Sequence, residues 1–225
     1  MRLRSNLLSL IVGALALVGL SGQAQASSIT LTQAIATGIT SLDGNFTFSN
    51  FSAGITGAIS HNTDDYLVTQ LASGFELTGG FLVADGNSGD MALGYTVTAK
   101  PGILITDVHL FMNGTFTPSG LPGNAAAVTE TILDGSTPIA NLATSGSSGA
   151  GDVFGLTADH VFGSTYSTLN VRKDISVTTI AGGLGSVAHI SIVDQTYTFI
   201  PEPGTLLLGS FGLLGLATLG RKRVR

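Results

Sequence analysis

The apolar residues of this chain recur in steps of two, and that habit limits what its body can become. Met91, Leu93, Tyr95 and Val97 give the cleanest run. Successive side chains of a strand point to opposite faces, so a period of two gathers these residues on one face of a sheet. Phe46 and Phe48 alternate and Phe51 nearly follows; Leu169 and Val171, then Ile175 and Val177, repeat the pattern. Ile103 and Ile105 give way to Val108, Leu110 and Met112, a change of phase that predicts a bulge. A last strand is expected from Val187 to Ile200. No segment holds a 3.6-residue apolar stripe through three turns.

Turn-forming groups separate these runs: Asp43-Gly44-Asn45, Asp85-Gly86-Asn87, Pro101-Gly102, Asn113-Gly114 and Asp134-Gly135. The stretch from Thr144 to Gly151 reads as a flexible loop. Strands at this spacing predict an all-β body, an antiparallel β-sandwich of jelly-roll or Ig-like type over residues 27–200. A β-solenoid is the alternative, but no fixed-period repeat supports it.

The two ends follow other rules. Arg2 and Arg4 precede an apolar run from Leu7 to Leu20, and then Ser21-Gly22-Gln23-Ala24-Gln25-Ala26. A basic start, an apolar helix and small residues at Ala24 and Ala26 predict a signal peptide over 1–26, cut after Ala26. The run is shorter than the roughly 20 residues of a membrane span. Residues 201–225 place Pro201-Glu202-Pro203 before an apolar stretch, Thr205 to Leu219, and a basic tail of Arg221, Lys222, Arg223 and Arg225. Two prolines keep the first part extended, as a protease cleft prefers. The apolar stretch predicts a short helix of about 23 Å against a hydrocarbon core of about 30 Å. It inserts weakly, which suits a transient stop-transfer element, and the cations hold its far end in the cytoplasm.

The order of these three parts resembles the PEP-CTERM sorting domain. The resemblance implies processing near Pro201, Glu202 and Pro203 by an exosortase, a membrane-embedded protease. It also implies transient anchoring in the inner membrane, then a place at the cell surface or outside it, where exopolysaccharide and biofilm matrix gather. Segments such as SLDGNFTFSNFSAGI, AAAVTETILDG and VRKDISV make the body similar to other members of that group, which implies an extracellular β-domain and adds no chemistry.

Composition narrows the function classes. Mean hydropathy is +0.44, but the apolarity is concentrated at the ends. Between residues 27 and 200 the only cations are Lys100, Arg172 and Lys173, against 13 of the chain's 14 acidic residues, a formal charge of 3 − 13 = −10. Nucleic-acid binding needs clustered cations, so it is not expected. There is no cysteine, which removes disulfides, thiolate metal sites and cysteine nucleophiles together.

The remaining motifs point away from an enzyme. No Gly-x-Ser-x-Gly elbow is present, and Gly146-Ser147-Ser148-Gly149 is its nearest likeness. His61, His109, His160 and His189 show no metal-ligand spacing. Asp64-Asp65 are neighbours, whereas glycoside hydrolysis sets two carboxyls across a cleft. Asp85-Gly-Asn87-Ser-Gly-Asp90 offers oxygen ligands for calcium but lacks the closing glutamate of an EF-hand, and reads first as a hairpin turn. With no Trp, and Tyr66, Tyr95, Tyr166 and Tyr197 dispersed, no sugar-stacking platform is evident. The expectation is an exported, non-enzymatic surface or matrix protein with no cofactor; the alternative is a surface module that binds polysaccharide or calcium.

Overall fold

The computed structural model describes residues 26–117, 123–148, 153–180, 185–202 and 204. The signal segment with Ala24, Pro203 and the tail with Arg221, Lys222, Arg223 and Arg225 lie outside the described residues, as do the two end helices expected from sequence. No helix among the described residues is long and apolar enough to cross a membrane.

A short first strand, β1 (Ser28–Thr30), runs into a two-turn helix, α1 (Leu31–Thr37). Thr30 caps that helix through its hydroxyl, and Gln33 reaches back to the Thr30 amide at 3.0 Å. Strands then follow as β2 (Ile39–Thr40), β3 (Phe46–Gly57), β4 (Tyr66–Leu71), β5 (Gly74–Gly79), β6 (Leu82–Ala84) and β7 (Ser88–Ala99). The second half holds β8 (Ile103–Thr117), β9 (Ala125–Asp134), β10 (Thr137–Ser147), β11 (Val153–Tyr166), β12 (Thr168–Thr178) and β13 (Val187–Pro201).

Two antiparallel sheets face each other. One has the order β1-β4-β5-β13-β8-β11, with β6 also on β13; the other runs β10-β9-β12-β7-β3-β2. Strands β5, β13, β8 and β11 thus lie over β7, β12, β9 and β10. Of the two sandwich types left open by the sequence, this is the double Greek-key order of a jelly roll.

The period of two explains which residues face inward. Met91, Leu93, Tyr95 and Val97 of β7 are buried, as are Leu169, Val171, Ile175 and Val177 of β12 and Val108, Leu110 and Met112 of β8. Each such side chain contributes about 1.5–3 kcal/mol by leaving water. Aromatic rings fill one end: Phe48 and Phe75 meet edge-to-face with centroids 5.1 Å apart, and Phe51 stacks on Tyr95 at 5.5 Å. The phase change in β8 is a bulge. Ile105 pairs with Phe199 but Asp107 pairs with Thr198, leaving Thr106 as the extra residue. The shift at Phe51 has the same cause, because Asn50 and Phe51 together oppose Tyr95. Asn50 takes up the turn of the backbone at φ 54°.

Two expectations are corrected. Asn113-Gly114 is no turn: both residues lie inside β8, opposite Ile192 and Ile190 of β13. Glycine is needed there because a Cβ would come 2.1 Å from the His189 carbonyl oxygen, a close approach of backbones. The stretch that reads as a loop from Thr144 begins as strand, since Thr144 to Ser147 pair with Val128 to Ala125 of β9.

Candidate functional site

The outer face of the six-stranded sheet carries a shallow groove of about 440 Å³. Alternation turns Asn50 and Ser52 of β3, Gly94 and Thr96 of β7, and Asn170 and Arg172 of β12 into it. The β3 bulge sets Asn50 on the rim, and Gly94 leaves the floor open, because a Cβ there would meet the Ser52 hydroxyl at 2.7 Å. A polar ladder crosses the three strands. Asn50 Nδ2 donates to Thr96 Oγ1 at 3.3 Å, Thr96 Oγ1 donates to Asn170 Oδ1 at 2.9 Å, and Asn170 Nδ2 donates to the Gly135 carbonyl at 2.9 Å. Arg172 is exposed beside it. Farther along the same face Asp90 and Asp174 share a hydrogen bond; burial, then this bond and the Asp174 charge, push the Asp90 pKa up. The groove offers amides, hydroxyls and one guanidinium. That inventory suits a hydroxyl-rich ligand held by hydrogen bonds, without ring stacking.

A second polar group lies inside the sandwich. Lys173 of β12 stands directly opposite Glu130 of β9, and Gln195 projects from β13 in the facing sheet. Lys173 Nζ donates to Glu130 Oε2 and, at 2.7 Å, to Gln195 Oε1. The Lys173 and Glu130 side chains are 1% and 0% exposed, and Gln195 is fully buried. Burial pushes the Lys173 pKa down, while Glu130 opposes that shift. Above them the Tyr95 and Tyr197 hydroxyls lie 3.0 Å apart. Burial holds both phenols well above their usual pKa, and Glu130 adds to the shift in each. Glu130 Oε1 and Gln195 Nε2 make no hydrogen bond among the described residues.

Other sequence candidates fall apart or serve the fold. Asp85-Gly86-Asn87 is a turn but not a hairpin: it carries the chain from β6 in one sheet to β7 in the other, closed by the Asn87 amide on the Ala84 carbonyl at 3.2 Å, with Asp85 and Gly86 at positive φ. The Asp85 carboxylate accepts the Gly185 amide at 2.6 Å, and Asp90 is carried away onto the outer face of β7. Asp64 and Asp65 end a single 3-10 turn, where Asp65 accepts from Ser60 Oγ and Asn62 Nδ2. The four histidines remain apart; His109 sits between Asp107 and Asp159, 2.7 and 2.6 Å away. Among the described residues no cluster of three or more histidines and carboxylates is arranged to hold a metal. Tyr66, Tyr95 and Tyr197 are buried and form no platform.

Of the sorting residues, Pro201 is the last residue of β13 and is exposed. The Glu202 amide donates to the Gly102 carbonyl at 2.8 Å. Ala26 is exposed just before β1. The buried triad is absent from the sequence reading, yet its signal was available. Lys173 falls in phase with Val171 and Ile175, Glu130 with Val128 and Ile132, and Gln195 with Val193 and Tyr197.

No protein-family model and no curated protein sequence matches the chain. Among solved structures it is similar to the module TmCBM61 in complex with β-1,4-galactotriose, at 9% identity and a TM-score of 0.31, over 68% of this chain and 88% of that one. The CBM22-1 xylan-binding domain of Xyn10C from Paenibacillus barcinonensis gives 9% identity and a TM-score of 0.26, over 76% and 92%. The enzymatically active domain of bacteriophage CBA120 tailspike protein 4 gives 14% and 0.31 over 68% of this chain, which spans 19% of that chain's length.

Proposed function

We propose that the chain is an exported, non-enzymatic surface or matrix protein whose sorting tail is processed by an exosortase-type membrane protease. The inner membrane holds it transiently, and the jelly roll is then displayed on the cell or released into exopolysaccharide. The observation that carries this reading is the sequence from Pro201 to Arg225: a proline-flanked glutamate, a short leucine-rich stretch and four cations, in that order. The exposure of Pro201 at the end of β13 supports it, because the ladder with β8 stops there, at the pair with Ile103, and the motif begins in solvent. Glu202 is tied to the fold through its backbone amide, which donates to the Gly102 carbonyl. Glu202→Ala is therefore expected to slow processing several-fold while the body stays folded, measured as the ratio of full-length to shortened protein by mass spectrometry from the native host. Normal processing of Glu202→Ala would remove the motif assignment.

A second reading, polysaccharide binding, is favoured by the ladder of Asn50, Thr96 and Asn170 beside Arg172. A sugar hydroxyl replacing water in that groove gains hydrogen bonds worth about 1 kcal/mol each. Asn170→Ala and Arg172→Ala are each expected to weaken retention on the host's exopolysaccharide by about five- to tenfold, read by affinity electrophoresis. Unchanged mobility of both variants would sink the groove as the binding face.

A further inference from the structure

We propose that the Lys173 amine and the Gln195 carboxamide join as an isopeptide bond, stapling β12 to β13 across the sandwich, with Glu130 moving the protons. The reactants are already in contact. Lys173 Nζ lies 2.7 Å from Gln195 Oε1, and a C=O bond adds about 1.2 Å, so the amide carbon Cδ is within about 4 Å of the nitrogen. That is close to the separation from which bound reactants attack.

The surroundings favour the reaction. The ammonium form of Lys173 is disfavoured by burial, and an amine with a free lone pair is the nucleophile. Glu130 accepts the Nζ proton through the hydrogen bond already present. On the other reactant, Gln195 Nε2 has no hydrogen-bond partner to hold it in place. Buried polar atoms left unpaired are costly, and the reaction expels this one.

The atoms balance without any outside reagent. Lys173 passes one ammonium proton to Glu130, and its lone pair forms the Nζ–Cδ bond. Glu130 hands that proton to Nε2, the Cδ–Nε2 bond breaks, and ammonia leaves. The adduct's surplus Nζ proton then returns to Glu130, which ends as a neutral acid. An ammonium, a carboxylate and a primary amide become a secondary amide, a carboxylic acid and ammonia, with nothing oxidised or reduced. The product also removes both charges from the core, where an ion pair is expensive to keep. In a body without cysteine, the bond does the work of a disulfide between sheets.

The test is mass spectrometry of the folded, purified full chain. The expected result is a mass lower by one ammonia, with a branched peptide in which the Lys173 segment is joined to the Gln195 segment. Linear, unmodified peptides for both residues in the folded protein would overturn the proposal and leave a plain buried ion pair. Lys173→Met is expected to lose the branched peptide and Glu130→Gln to retain full mass; a cross-linked Glu130→Gln chain would overturn the role of Glu130. Should either variant fail to fold, the wild-type peptide map decides alone, and a faster band for wild type on a denaturing gel, lost in Gln195→Ala, checks it independently.

Discussion

Asp194 shows how one carboxylate couples this fold to acidity. It pairs directly with Glu76 across β13 and β5, and its Oδ1 is buried without a hydrogen-bond partner among the described residues. Burial, then the Glu76 charge, push its pKa from 3.8 to about 6. The folded chain therefore keeps a proton that the unfolded chain has lost. Stability from this group is fully present below pH 3.8 and is gone once the pH has risen through about 6. Asp90 shifts in the same direction. We expect the melting temperature to rise as pH falls from 7 to 5, and to rise less in Asp194→Asn. An unchanged slope in that variant would show that Asp194 is not the titrating group. At this scale the sequence was only half legible. Which residues alternate was plain, but a lysine, a glutamate and a glutamine occupying inward positions break the rule that charges seek water. Reading the phase of Lys173, Glu130 and Gln195 in place of their polarity would have found them.

Strands carry the next lesson, and β8 carries it most clearly. Its phase change after Ile105 was readable because a bulge leaves a permanent mark on alternation. Its Asn113-Gly114 pair was misread because local turn chemistry competes with pairing on both sides: β11 and β13 flank this position and fix it as extended chain. Gly114→Ala would force a Cβ against the His189 carbonyl. Overpacking of this kind costs about 1–3 kcal/mol. The expected outcome is a lower urea midpoint with an unchanged slope. A neutral result would mean that β13 moves aside freely. The groove is a similar case. Asn50, Thr96 and Asn170 sit far apart in sequence and meet only because β3, β7 and β12 lie side by side. No local pattern announces such a meeting.

For the whole molecule, the all-β class and the sandwich followed from alternation and turn spacing, while strand order needed the structure. Jelly-roll pairing joins strands distant in sequence, such as β5 with β13 and β3 with β7, and a single sequence holds no record of partners. The seven-stranded sheet has a further consequence. Strand β13 lies between β5 and β8, bonded to β8 from Val187 opposite Thr117 to Pro201 opposite Ile103, and the chain leaves the sheet at Pro201. Tension applied through that exit in line with β13 would load the ladder with β8 in shear, so that its bonds share the load. A tether attached there would draw on the strongest mechanical direction that an antiparallel sheet possesses.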